Sequence, residues 1–279
     1  MDRYVVAGNP VEHSQSPFIH AEFARQTAQA MEYGRVLWPL DGFADSVRAL
    51  AASGAKGCNI TVPFKFEAAI QGQRLTERAA LAQAANVLRF DADGWLADNT
   101  DGVGLVNDIE RNARVPIEGK RVLLIGAGGA AAGVLGPILA ARPREVVVAN
   151  RTLAKARALV ERHARVAGAA ALRASGLDDG GAGFDIVINA SASSLQGAAV
   201  PVPDAVLASG ALALDLMYGD AARPFLDWAA AHSALGRDGL GMLVEQAAAA
   251  FELWRGVRPD TAPVLAALRQ RMIAARATK

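Results

Sequence analysis

An α/β fold in two domains is predicted by three observations on the sequence. Strand-like and helix-like segments alternate along nearly the whole chain, the pattern left by helices crossing between strands of a mainly parallel sheet. The stretch Arg121–Thr152, RVLLIGAGGAAAGVLGPILAARPREVVVANRT, reads as strand, glycine turn, helix, strand and polar tip. Its two apolar runs lie about twenty residues apart, which fits a right-handed βαβ crossover. Finally, a chain of 279 residues is long enough for two domains of ordinary size, each with its own core.

Tyr4–Ala7 reads as the first strand and runs into GNPVEHSQSP, a turn dense in Gly, Pro, Asn and Ser. Loops at strand ends are where ligands are gripped. After Pro17 a helix follows over FIHAEFARQTAQA, then a strand over Tyr33–Trp38, a helix over Phe43–Ala52 and a strand ending at Asn59–Val62. Pro63 sits near the next helix start. Leu75–Ala84 reads as helix, and Asn86–Phe90 with Trp95–Ala97 as two short strands around the Asp91–Gly94 turn, a hairpin signal. DNTDG, Asp98–Gly102, opens a helix running to about Asn112, and the first domain boundary is placed there.

In the second half Arg121–Ile125 is a strand. Gly126 permits the sharp turn after it, Gly128 lets the backbone approach a pyrophosphate with no side chain intervening, and the helix opening near Gly129 points N–H groups at the anion. Ala131 stands at the third position of G-x-G-x-x-G, a replacement that the fingerprint admits. A Gly/Ala-rich helix start also arises from close packing on a sheet. The end of the second strand, Glu145–Ala149, points to a ligand instead. A site for the unphosphorylated dinucleotide places Asp or Glu there, whereas this chain has Asn150, Arg151 and Thr152. A guanidinium with amide and hydroxyl donors suits a 2′-phosphate, which a carboxylate repels. The expected cofactor is therefore NADP. Lys155, one turn on, is either a second cation for it or a solvated helix lysine.

Pro137 should kink its helix. A helix over Leu153–Ala164, an irregular Gly/Ala-rich stretch, and strands over Asp185–Asn189 and Ala211–Met217 complete a sheet of six strands or slightly fewer. From Gly239 the chain turns helical, through LGMLVEQAAAAFELWRG and TAPVLAALRQRMIAAR. These helices exceed what a nucleotide domain needs and are expected to return to the first domain. The expected domains are thus 1–101 plus 239–279, and 102–238.

Composition narrows the function. With 52% hydrophobic and 20% charged residues the chain is globular, and 29 Lys and Arg against 28 Asp and Glu leave no basic excess for nucleic acid or an anionic membrane. Small-molecule partners are expected. The single cysteine, Cys58, makes no internal disulfide and fits a reducing compartment. There is no uninterrupted apolar span of about 18 residues, so cytoplasm is the expected location. None of the four histidines sits in a metal-ligand spacing, so no metal is implied.

Several separated motifs stand in one order: GNPVEHSQSP at Gly8–Pro17, NITVPFK at Asn59–Lys65, AAN at Ala84–Asn86, DNTDG at Asp98–Gly102, GAGGAA at Gly126–Ala131, NRT at Asn150–Thr152, INAS at Ile188–Ser191 and DGLGMLVEQA at Asp238–Ala247. Over essentially its whole length the chain resembles the shikimate dehydrogenase family. The resemblance implies NADP-dependent reduction of 3-dehydroshikimate to shikimate, in aromatic amino acid biosynthesis. It also implies a split substrate domain with a Rossmann-type nucleotide domain inserted, in a monomer or homodimer.

Residue by residue, the resemblance implies that Ser14 and Ser16 hold the substrate carboxylate; read alone, they are loop serines that cap the next helix. Asn59, Thr61, Asn86 and Gln246 match polar groups of the substrate site, and Tyr218 a tyrosine at its mouth. A site that hydrogen-bonds each hydroxyl rejects analogues lacking one. Lys65 and Asp101 match the reacting pair. Charge develops on the ketone oxygen as hydride arrives, so a cation able to release a proton lowers the barrier, and a carboxylate beside it holds the ammonium. On the cofactor side the resemblance implies Gly126, Ala127, Gly128, Gly129 and Ala130 in the turn and Asn150, Arg151, Thr152 and Lys155 at the tip. Glu77, Ser191, Leu216, Gly239 and Met242 complete that set.

The sequence departs from the family at Val87, where threonine is usual, and in reading NASASS after Ile188. His13 is read as structural. Two rivals stand beside this reading: an enzyme of the same fold that uses quinate, or both acids, usually with NAD, and a binding protein that has lost catalysis. Arg151 argues against the first, and the intact Lys65 and Asp101 against the second.

Overall fold

A computed structural model of the chain describes residues 1–191 and 200–277. They form two compact units, one of Met1–Gly104 with the chain from Leu243 onward, the other of Leu105–Met242. Each passage between units falls inside a helix, a few residues past the boundaries placed on the sequence. The NASASS reading continues through Ala192–Ser194, which lie outside the described residues.

The first unit is built on β1 (Asp2–Gly8), α1 (Ser16–Gln26), β2 (Met31–Leu37), α2 (Phe43–Ala52), β3 (Gly57–Ile60) and α3 (Lys65–Gln71), followed by β4 (Arg74–Leu75), α4 (Glu77–Ala82), β5 (Val87–Arg89), β6 (Leu96–Asp98) and α5 (Asp101–Asn107). Its sheet has the order β2-β1-β3-β5-β6-β4. β1 pairs in parallel with β2 and β3, as β4 does with β6, while β5 runs antiparallel to both β3 and β6. The expected hairpin is therefore present, closed at Gly94, whose φ of +121° suits glycine.

One face of this sheet packs on Trp38, Phe43, Val47 and Phe64. On the other, His20, Phe23, Tyr33, Phe251 and Trp254 form a ring cluster. α9 (Leu240–Arg255) brings Phe251 and Trp254 into it. Complete burial of Phe251 contributes roughly 1.5–3 kcal/mol, which helps explain why the late helix belongs to this unit. The Trp254 indole donates to the Leu88 carbonyl at 3.1 Å. That approach needs Gly57, where a Cβ would lie 2.7 Å from Trp254 Nε1. α10 (Ala262–Ala277) packs on α1.

The second unit is doubly wound. Its strands are β7 (Arg121–Ile125), β8 (Glu145–Ala149), β9 (Ala171–Ser175), β10 (Phe184–Asn189), β11 (Leu207–Asp215) and β12 (Leu235–Arg237), and its helices include α6 (Gly129–Ala140), α7 (Leu153–His163) and α8 (Arg223–Ala231). All five pairings in the order β12-β11-β10-β7-β8-β9 are parallel. Val122–Ile125, Val146–Ala149 and Ile186–Ile188 are fully buried, as strands covered on both faces require. α6 continues through Pro137 to Ala140.

Several elements differ from expectation. The helix placed over Leu75–Ala84 is shorter, because Leu75 pairs with Ala97 in the sheet and the Thr76 hydroxyl caps α4 by accepting from Ala79 N–H. α1 stops at Gln26, and Ala28 beyond it has a φ of +52°. The helix opened by DNTDG ends at Asn107 and gives way to a π-helical turn over Asp108–Asn112. β9 lies in the stretch that reads as irregular, and α8 and β12 are elements the sequence does not signal. β9 is five residues at a sheet edge and β12 three, too short for a periodic signal. Among the described residues no helix is long and apolar enough to cross a membrane.

Candidate active site

In the first unit the ends of β1 and β3 meet the starts of α3 and α5. β1 and β3 are parallel, so Gly8 and Thr61 leave the sheet side by side. A Cβ at Gly8 would lie 2.3 Å from Thr61 Cγ2, so glycine is what allows the two loops to touch. The loop after Gly8 is held by Asn9, whose N–H donates to the Val62 carbonyl and whose amide donates to the Trp38 carbonyl. Ser14 and Ser16 lie on that loop, their hydroxyls 3.2 Å apart. Ser16 is the first residue of α1; Gln15 occupies the N-cap position without a side-chain bond, while the Ser14 hydroxyl accepts the Ser16 N–H at 3.3 Å.

Lys65 opens α3 and Asp101 opens α5. The Lys65 ammonium donates to Asp101 Oδ2 at 2.5 Å, and the two side chains are 15% and 6% exposed. A helix N-terminus favours the Asp101 charge and opposes the Lys65 charge. The carboxylate is therefore what holds the ammonium in this position. The other carboxylate oxygen accepts from Asn86 Nδ2 at 2.9 Å, and Asn86 Nδ2 lies 3.1 Å from Gln246 Oε1. Asn86 Oδ1 accepts the Thr100 N–H at 2.8 Å. Lys65, Asp101, Asn86 and Gln246, from four distant places in the chain, thus form one hydrogen-bonded cluster. Thr61 stands half-buried one turn before Lys65. Asn59 has both ends of its amide engaged by protein: Oδ1 accepts from the Tyr33 phenol at 2.6 Å and Nδ2 donates to the Asn86 carbonyl at 3.2 Å.

A second carboxylate fixes the loop that carries Asp101. Asp98 is fully buried, which by itself raises its pKa. The Arg78 guanidinium, at 2.7 Å and 2.5 Å, with the Thr76 hydroxyl and the Asn99 N–H, outweighs burial and holds the Asp98 carboxyl below the usual value. The Asn99 side chain donates to the Ala84 carbonyl and accepts the Asp101 N–H. Within DNTDG the sequence alone gives Asp98, Asn99 and Thr100 no individual role, and Arg78 carries no sequence signal.

In the second unit the turn after β7 has the shape that an anion site needs. Gly126 has a φ of +114°, and a Cβ there would meet the Ala190 carbonyl oxygen at 2.9 Å. At Gly128 nothing lies within 4 Å of a built Cβ, so the space over the turn is open. Gly128 caps α6 without a side-chain bond, which leaves the first N–H groups of the helix, at Gly129 and Ala130, for a ligand. Ala127 precedes them, half-buried. Ala131 and Ala132 are buried beneath the turn.

At the end of β8 the Asn150 amide donates to the Thr152 carbonyl at 2.9 Å. Arg151 and Lys155 are exposed and pair with no carboxylate among the described residues. Two cations with no internal partner and no acidic residue at the strand end suit a phosphate better than a free ribose hydroxyl. Asn189 accepts from the Ser191 N–H and hydroxyl and donates to Asp215. Leu216 and Gly239 touch: a Cβ at Gly239 would lie 2.3 Å from the Leu216 carbonyl oxygen. Met242 is buried.

Three family models match this sequence: the shikimate dehydrogenase substrate binding domain over residues 6–88, shikimate/quinate 5-dehydrogenase over 109–198, and the shikimate 5′-dehydrogenase C-terminal domain over 239–269. A shikimate dehydrogenase (NADP(+)) of Methylibium petroleiphilum is 63% identical over 276 residues, covering 96% of this chain and 94% of that one. The chain belongs to the shikimate dehydrogenase family. Among solved structures, an Ael1 enzyme from Pseudomonas putida is 46% identical with a TM-score of 0.86, over 96% of this chain and 98% of that one. Shikimate 5-dehydrogenase of Thermus thermophilus, solved in complex with shikimate, is 30% identical with a TM-score of 0.83, over 98% of this chain and 99% of that one.

Within the fold of this family, Ser14, Ser16, Asn59, Thr61, Lys65, Asn86, Asp101 and Gln246 all belong to the first unit. Tyr218, expected at the mouth of the same site, is half-buried just past β11 in the second. The expected cofactor residues lie in the second unit with one exception. Glu77 is an exposed residue in the first turn of α4, in the first unit. Among the described residues no group of His, Cys, Asp and Glu is arranged to hold a metal ion.

Proposed function

We propose that this chain catalyses the reversible reduction of 3-dehydroshikimate to shikimate with NADPH. The Lys65–Asp101–Asn86–Gln246 cluster carries this reading. It places one ammonium among hydrogen-bonding groups in a largely buried setting, and the chain shares 63% identity with a shikimate dehydrogenase (NADP(+)).

When bound, NADPH supplies the hydride. The ketone carbon gains that hydride, the carbonyl π pair moves to oxygen, and one proton is needed there. Lys65 stabilises the growing negative charge and delivers the proton, and solvent returns a proton to the amine. Asp101 keeps the ammonium in place and accepts from the adjacent substrate hydroxyl. Asn86, Thr61 and Gln246 hydrogen-bond the remaining ring substituents, while Ser14 and Ser16 take the carboxylate. Loss of any one ring hydroxyl then leaves a buried protein group unpaired.

Gly126 to Ala130 would hold the pyrophosphate, and Asn150, Arg151, Thr152 and Lys155 the 2′-phosphate. Ser191, Leu216, Gly239, Met242 and Glu77 are proposed around the remainder of the cofactor. On this reading residues 1–101 and 239–279 form the substrate-binding catalytic domain and 102–238 the NADP-binding domain, in the cytoplasm, as a monomer or homodimer.

The test is a matrix of steady-state rates with shikimate and quinate, each with NADP and NAD. The expected outcome is highest kcat/KM for shikimate with NADP. Higher kcat/KM for quinate, or for NAD, assigns the chain to the dual-use branch instead.

A further inference from the structure

β2 contributes two side chains that the chemistry above does not use, and both reach toward the substrate loop. Tyr33 and Arg35 are two residues apart on an extended strand and so stand on one face of the sheet. In register, Arg35 lies beside Val6, and Val6 beside Asn59. Neighbouring residues in parallel register point the same way, so Arg35 and Asn59 share that face.

Arg35 donates to the Ser14 carbonyl twice, from Nε at 3.0 Å and Nη2 at 2.6 Å. Tyr33 donates to Asn59 Oδ1 at 2.6 Å, with the Ser16 hydroxyl near the same phenol. Burial raises the Tyr33 phenol well above its ordinary pKa, so it remains a neutral donor. Asn59 then donates to the Asn86 carbonyl. One face of β2 is thereby tied to the backbone of Ser14 and, through Asn59, to the residue that bonds Asp101.

We propose that Tyr33 and Arg35 are positioning residues for the acid end of the substrate: Arg35 fixes Ser14 by its backbone, Ser14 holds the Ser16 hydroxyl, Tyr33 fixes Asn59 beside them, and together they aim the two serine hydroxyls at one carboxylate. Two neutral hydroxyls bind an anion well when their geometry is held in advance. The exposed Arg35 guanidinium also leaves a fixed positive charge behind them. This inference rests on the reading of the chain as a shikimate dehydrogenase.

The experiment compares the wild-type protein with Tyr33→Phe and Arg35→Gln on two substrates, shikimate and its methyl ester, which lacks the negative charge. Each variant is expected to raise KM for the acid about fivefold, the effect of losing roughly one hydrogen bond. kcat should stay within about twofold and KM for NADP unchanged, as for lost ground-state binding. The preference for acid over ester should fall by a similar factor. A purely structural role lowers both substrates together, so an unchanged acid-to-ester ratio in both variants overturns the proposal, whatever happens to the absolute rates. Failure of the wild-type protein to oxidise shikimate at all would instead remove the functional reading beneath it.

Discussion

His20 makes the folded protein sensitive to mild acid. Its ring is fully buried between α1 and the sheet, stacked on Tyr33 at 4.1 Å, and neither ring nitrogen makes a hydrogen bond among the described residues. Burial, offset only in part by the nearby Asn59 amide, pushes its pKa down from 6.5 to about 3. The unfolded chain therefore takes up the proton first. The stability conferred by the neutral ring is present above pH 6.5 and is lost as the pH falls toward 3. A group with those two values costs about 2 kcal/mol between about pH 7.5 and about pH 5. The perturbation is His20→Phe, which keeps a ring in the cluster and removes the titration. Urea unfolding of both proteins at the two pH values, followed by tryptophan fluorescence, gives the double difference. The carboxylates Asp98 and Glu145, both held below their ordinary pKa, titrate in both proteins and cancel. The wild type should lose about 2 kcal/mol more than the variant. Parallel losses in the two proteins would refute the reasoning.

Other consequences follow from the nucleotide unit. Arg151→Ala should raise KM for NADP at least tenfold while that for NAD moves little, since a charge-assisted contact to phosphate contributes roughly 1.5–3 kcal/mol; equal effects on the two cofactors would show that Arg151 does not face the 2′-phosphate. Gly128→Val should abolish NADPH binding in calorimetry with little change in Tm, because the added side chain enters open space in the fold. Gly126→Ala should instead lower Tm by several degrees, since its Cβ would press on the Ala190 carbonyl at a φ that alanine avoids. The reverse ordering of those two melting temperatures would contradict the account of the turn.

Much of the fold is legible in the sequence wherever a short apolar run is bounded by glycine or proline. β7, β8 and α2 occur with the limits read from the chain, because buried parallel strands are continuous Val, Ile and Leu. Legibility fails where tertiary contacts set the limits. β9 is a strand because β8 lies beside it, and Leu75 joins the sheet although its neighbours read as helix. In the site, the motifs marked Lys65 and Asp101, but the partners that hold them are scattered. Arg78 sits in a helix that looks like any charged surface helix, and its bond to Asp98 spans 20 residues. Tyr33 and Arg35 belong to a strand whose alternation gives no hint of the loop they brace. Spacing reveals residues that share a turn or a motif, and long-range hydrogen bonds emerge only from the fold.

The proposed function rests above all on the Lys65 ammonium held by Asp101, and Lys65→Met removes the charge and the proton while keeping most of the side chain's length. NADPH oxidation with saturating 3-dehydroshikimate, measured alongside substrate affinity, isolates that contribution. Turnover should fall at least a hundredfold, within the range of roughly 10² to 10⁴ for a positioned acid, with the substrate dissociation constant changed only several-fold. Turnover within tenfold of wild type would contradict the assignment of the chemistry to this pair.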